Sequence, residues 1–253
     1  ASAPQACAWS DGGECLVVGD SAGALYFVDA ATGAALLSQP LAGGDASVEF
    51  CRIVVPRCVR SSSSGAPSVH GQLLVLERSG RLHRFAGIEF GAIRDAARED
   101  DRDALRRAKG RITCALSTVG DERSVPVDMQ ATVRQHRVIT FVAASGSGAF
   151  AGVTAWSLSC GADAASKQPH KVDAARPAQL GGEPVRLCLA GAQREWLFAL
   201  SSVGVMTWWK VNSSSSSGVR LAKLGQWDGG VLRSDAVSVA PTISDCAPLS
   251  VWR

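Results

Sequence analysis

Four histidines, His70, His83, His136 and His170, are the first side chains to which acid–base chemistry would be assigned. His83 falls inside a strand–turn–strand pattern, which places it on a strand surface rather than in the role of a base. Ser145-Gly146-Ser147-Gly148-Ala149 is not a nucleophile elbow, which needs GxSxG between a strand and a helix. It is not a phosphate loop either, because it lacks the Gly-Lys-Ser/Thr ending and the helix that follows. Asp100, Asp101 and Asp103 stand together without a histidine partner or a metal-loop pattern, and read as a solvated helix face. Arg106, Arg107 and Lys109 make a small basic patch whose acidic neighbours oppose nonspecific phosphate binding. The sequence therefore assigns no catalytic, cofactor-binding or metal-binding residue, and no cofactor. It assigns no partner-binding residue.

The eight cysteines are Cys7, Cys15, Cys51, Cys58, Cys114, Cys160, Cys188 and Cys246. None forms a CxxC pair, and several lie in apolar strand-like runs, so isolated buried thiols are expected rather than disulfides or zinc. A net charge of +3, from 26 basic and 23 acidic residues, is too balanced to imply a nucleic-acid or membrane partner. Hydrophobic residues make up 46% of the chain, enough for a buried core. No apolar run reaches the ~18 to 20 residues of a membrane span, and no signal peptide is read at Ala1-Ser2-Ala3-Pro4-Gln5. The lack of an initiator methionine points to a fragment.

The elements that would position these residues repeat. Residues 15–29 spell strand, tight turn, strand, with the turn at Asp20-Ser21-Ala22-Gly23. The same order returns at 72–85 around Gly80 and at 196–209 around Gly204. Residues 6–9 and 34–38 complete four short strands within ~35 residues, the content of one β-propeller blade. Leu73-Leu74-Val75-Leu76 is too continuously apolar for a two-faced strand, so burial on both faces is expected there. In Trp208-Trp209 neighbouring side chains must face opposite ways, one between blades and one on the other sheet face.

The turns near Gly23, Gly80, Gly152 and Gly204 stand 57, 72 and 52 residues apart. The usual repeat is ~40 to 45 residues, so these blades carry insertions. One is helical, at 88–109, where Ile93, Ala96, Ala97, Ala104, Leu105 and Ala108 form a weak stripe to rest on the blade. Gly110 is the expected stop. Serine-rich loops are expected at 60–68 and 212–218, a long connection at 117–127, and a polar stretch at 160–184. Residues 236–240 and 249–252 read as strands of a further blade. The expected fold is all-β: a WD40-like β-propeller, incomplete within this chain, with a short helical insertion. Over 1–253 it would supply about four blades and the start of a fifth.

This order resembles one family. The hairpins at Leu16–Val28 and Leu73–Gly80, the helical insert leading directly into a strand from Ile88 to Ile112, and the Val138–Trp156 hairpin resemble the N-terminal propeller of Rod-like kinetochore-associated proteins. The serine runs at 61–64 and 213–217 depart from the animal pattern. The resemblance implies a non-enzymatic scaffold: a propeller followed by a helical solenoid, with Zwilch-like and Zw10-like partners. It further implies indirect links to Spindly and dynein, no direct nucleic-acid contact and no transmembrane segment. The role implied is support of spindle assembly checkpoint signalling, at the kinetochore and spindle in mitosis and in the cytoplasm otherwise. The residues leave open a propeller subunit of a vesicle-tethering or membrane-trafficking complex, a generic WD40-like scaffold, or a propeller hydrolase with an acidic or histidine site in its channel.

Overall fold

The computed structural model describes residues 2–41, 48–58, 71–134, 137–159, 169–214 and 218–228. These fold into four sheets, each built on an antiparallel meander of four strands. Blade 1 holds β1 (Pro4–Trp9), β2 (Cys15–Asp20), β3 (Ala24–Asp29) and β4 (Ala35–Pro40). Blade 2 holds β5 (Phe50–Val54), β7 (Leu73–Glu77), β8 (Arg81–Ala86) and β9 (Thr113–Thr118). Between β5 and β7, the two-residue β6 (Arg57–Cys58) crosses to pair in parallel with Thr132 and Val133 of the next blade.

Blade 3 consists of β10 (Ser124–Arg134), β11 (Arg137–Gly146), β12 (Gly152–Ser159) and β13 (His170–Ala175). After the short α3 (Pro177–Leu180) comes blade 4: β14 (Pro184–Ala190), β15 (Trp196–Ser201), β16 (Val205–Ser214) and β17 (Gly218–Asp228). The leading strands β1, β5, β10 and β14 neighbour one another in succession, so each blade begins on the inside and ends on the outside. This is the arrangement of propeller blades.

Three blades share one hairpin turn. The glycine N–H donates to a carbonyl three residues back at 3.0 Å in each: Gly23 to Asp20, Gly80 to Glu77 and Gly204 to Ser201. All three glycines have φ between 78° and 85°, which a side chain would strain. The residue opening each turn secures it further. Asp20 accepts the Ala22 and Ala24 N–H groups, Ser79 donates its hydroxyl to Glu77, and Ser201 accepts the Val205 N–H.

Strand alternation divides the core into three layers between successive blades. From β7, Leu73 and Val75 pack toward blade 1 while Leu74 and Leu76 pack toward blade 3. From β11, Val138 and Val142 face blade 2 while Ile139, Phe141 and Ala143 face blade 4. That two-sided burial is what the continuous apolar runs require.

Several elements differ from the sequence expectation. The connection read at 117–127 contains the start of β10, whose strand pattern is masked by a bulge between Pro126 and Asp128 and by buried Asp128 and Thr132. The polar stretch at 160–184 contains β13, an outer strand whose His170 and Lys171 are exposed. In the serine run at 212–218, strand β16 continues through Ser214 and pairs with Gly218, so residues 212–214 are strand rather than loop. The 60–68 loop and the strands read at 236–240 and 249–252 lie outside the described residues. The helical insert is two helices, α1 (Phe90–Arg98) and α2 (Arg102–Arg111). Gly110 does not stop α2, which runs one residue further.

Candidate interaction site

The insert between β8 and β9 turns back onto the neighbouring blade. Ile93, Ala96 and Ala108 are buried, and Ile93 and Ala108 join a core that includes Val17, Leu25 and Phe27 of blade 1 and Val75 and Phe85 of blade 2. The Phe90 ring meets that of Phe27 at 5.9 Å between centroids, tilted by 41°. Arg98 closes the contact with two hydrogen bonds to Asp29, Nε to Oδ2 at 2.7 Å and Nη2 to Oδ1 at 3.0 Å. The Arg98 guanidinium, aided by the Ala31 N–H, pulls the Asp29 carboxyl down to about 2 against the opposing effect of burial. The two helices are thus a clasp from blade 2 onto blade 1, and the expected stripe is its inner face. Ala97, Ala104 and Leu105 sit half-buried at its margin.

The outer face of the clasp is charged. Asp101 caps α2 by accepting the Asp103 and Ala104 N–H groups, which accounts for one of the three clustered aspartates. Asp103 pairs with Arg106, Asp100 with Arg102, and Glu89 with Arg111, all solvent-exposed. Such pairs fix little energy and leave their long side chains free to re-pair with a partner.

A second set of polar groups knits the inner strands together. Gln5 of β1 accepts the Phe50 N–H of β5 at 2.9 Å. Asp128 of β10 is fully buried and accepts the Met129 N–H at 2.8 Å and the Leu187 N–H of β14 at 2.7 Å. Arg52 of β5 approaches the same carboxylate at 3.4 Å. Burial raises the Asp128 pKa, with Arg52 and the two N–H groups opposing. One carboxylate therefore ties blade 3 to blades 2 and 4. Sequence reasoning missed it, and its only sequence signal is an aspartate inside an otherwise strand-like run.

The candidate chemical groups resolve into structural roles. His83 is fully buried, not on a strand surface: it lies opposite Val75 and Leu116 in its sheet, and its Nε2 meets the Glu77 carboxylate. Its neighbour Val75 packs toward blade 1, which covers that side of the sheet at His83, while Leu116 at the outer strand stays exposed. Residues 145–150 fold onto the 121–124 turn, where Asp121 accepts the Ala149 N–H and Ser124 the Phe150 N–H. The Ser-Gly run is thereby held as a hairpin turn. His170 is exposed at the start of β13, and His70 and His136 lie outside the described residues.

None of Cys7, Cys15, Cys51, Cys114 and Cys188 is in a disulfide. Burial pushes the Cys15 thiol up to about 11 and the Cys51 thiol up to about 12, far from thiolate reactivity at neutral pH. Among the described residues no group of three or more His, Cys, Asp or Glu could hold a metal ion. Among them, too, no helix is long and apolar enough to cross a membrane.

Trp208 and Trp209 part as their alternation requires. Trp209 is buried between blades 3 and 4, while Trp208 is half-buried on the opposite face. There its indole lies across Gly225, where a Cβ would come within 2.2 Å of Cζ2.

No family model matches the chain, and no curated relative matches it. Solved structures do. The β-propeller domain of Myceliophteria thermophila Cps50 (Swd1) superposes with a TM-score of 0.53 at 9% identity, covering 90% of this chain and 59% of that one. A chain of a mitotic checkpoint complex structure superposes with a TM-score of 0.49 at 14% identity, covering 90% and 52%. This chain thus spans little more than half of each. The fold is that of a WD40-like β-propeller, with a short helical insertion.

Proposed function

We propose that this chain is the propeller part of a Rod-like kinetochore scaffold, a docking module rather than an enzyme. The observation that carries the proposal is the helical clasp: α1 and α2 interrupt blade 2 after its third strand and lead directly into β9. The Rod-like resemblance rests on an insert that leads directly into a strand, and on the hairpin that follows it, here β11 and β12. On this reading the propeller is a rigid platform whose function is to present surface, and the charged outer face of the clasp is available to a partner. The partners are Zwilch-like and Zw10-like subunits, with Spindly and dynein reached through them. The place of action is the unattached kinetochore during mitosis.

Affinity purification of the full-length protein from mitotic cells, with mass spectrometry of what stays bound, tests the proposal. Stoichiometric recovery of Zwilch-like and Zw10-like subunits is the expected result. Recovery of vesicle-tethering subunits in their place would refute it.

A further inference from the structure

The four inner strands share one irregularity. Each has a one-residue bulge near its start, at Gln5, Cys51, Val127 and Val185. A bulge re-aims the side chains around it. Here they reach toward the next blade: Gln5 accepts the Phe50 N–H, Arg52 meets Asp128, and Asp128 accepts the Leu187 N–H. The residues just after the bulges therefore align, strand by strand, as Ala6, Arg52, Asp128 and Arg186. That row is unequal in charge. Asp128 is one buried anion between two arginines, and two backbone N–H groups already engage its oxygens. Arg52 approaches it at 3.4 Å, longer than a guanidinium–carboxylate hydrogen bond, and its side chain is 37% exposed. Arg186 is exposed and makes no hydrogen bond or ion pair with the described residues. Both guanidinium charges pull the Asp128 carboxyl down against the larger effect of burial, so both stand near it, from blades 2 and 4.

We infer that this row is a docking site for an acidic segment of a partner protein, with Arg52 and Arg186 gripping one carboxylate of that segment. Charge complementarity carries the choice of occupant, because two cations share a single anion that is already engaged. The surroundings narrow it further. Val185, beside Arg186, is 39% exposed, and Val125, at the same end of β10, is 41% exposed. They offer apolar surface to a side chain flanking the carboxylate, which suits a peptide. Glu49, Glu122 and Glu183 are exposed just ahead of the same inner strands. They oppose a run of phosphates and leave room for a single carboxylate, which the fork of a guanidinium fits. The inference rests on strand register and charge and is independent of the Rod-like proposal.

Fluorescence anisotropy with the full chain tests it. The probe is a fluorescein-labelled Gly-Ser peptide with the core Val-Glu-Val-Glu-Val, set against the same peptide with lysine in place of glutamate and against a single-stranded oligothymidine. The expected result is binding of the glutamate peptide alone, weakening as salt rises. Arg186→Glu should cut that binding by roughly tenfold or more and make the lysine peptide the better ligand, with circular dichroism unchanged because Arg186 is exposed. Arg52→Gln should weaken the glutamate peptide without that reversal. Equal binding of the two peptides, no binding of the glutamate peptide, or glutamate-peptide binding that survives Arg186→Glu would overturn the inference. Tighter binding of the oligothymidine would overturn it in favour of a nucleic-acid surface.

Discussion

Ile93→Ala probes whether the helical clasp holds two blades together. Ile93 is fully buried in the core shared by blades 1 and 2, beside Phe27 and Phe85 across the blade boundary. Truncation to alanine removes three carbons from a site walled by two sheets and a helix, which collapses poorly. The loss expected is about 3 kcal/mol, within the ~2 to 5 kcal/mol of buried Ile→Ala changes. For a domain of this size that lowers the midpoint of thermal unfolding by ~6 to 12 °C. Urea unfolding followed by circular dichroism measures it, with Leu116→Ala on exposed β9 as a control expected within ~0.5 kcal/mol of the parent. Hydrogen exchange adds the decisive detail. If the clasp joins the blades, amides of β2, β3 and β7 lose protection along with those of α1 and α2. A loss under ~0.5 kcal/mol, or one confined to helix amides, would refute the clasp.

Four further variants probe this and other contacts. Because the Asp29 carboxyl sits at about 2 against an ordinary 3.8, its contribution is fully present above pH ~4 and lost as pH falls through 2. Asp29→Asn should therefore flatten acid unfolding over that window, seen as melting temperature against pH. Asp128 titrates with the opposite sign: its pKa is raised, so its ionisation weakens the fold as pH rises above 3.8, and Asp128→Asn should remove that slope. Asp128→Ala instead leaves the Leu187 N–H without its acceptor, at a cost of ~1 to 3 kcal/mol by urea unfolding. Gly225→Ala must displace the Trp208 indole, costing ~1 to 3 kcal/mol and shifting tryptophan fluorescence.

The blades were legible where hairpin turns and apolar runs coincide. Gly23, Gly80 and Gly204 mark turns of one geometry, and the two-sided burial of Leu73–Leu76 follows from its unbroken apolarity. The stripe of the insert was legible for the same reason, since 3.6-residue spacing brought Ile93, Ala96 and Ala108 to one side. Innermost and outermost strands were not. Strand β10 spends core positions on Asp128 and Thr132, whose hydrogen-bonding partners or neighbours come from other blades, so its polarity reads as loop. Strand β17 is broken by charge and by Gly225, a glycine explained only by the indole above it. His83 misled because alternation places it on a face without showing that blade 1 covers that face. The clasp salt bridge joins residues 69 apart, beyond any local pattern.

The most direct test of the scaffold proposal is where the full-length protein goes when spindle attachment fails. A fluorescent fusion, imaged in cells arrested with a microtubule poison, should concentrate at unattached kinetochores and leave them as attachments form. Ile93→Ala in the same fusion should weaken that accumulation by unseating the clasp. A fusion that stays on vesicle membranes, or stays diffuse while checkpoint signalling is active, would contradict the account.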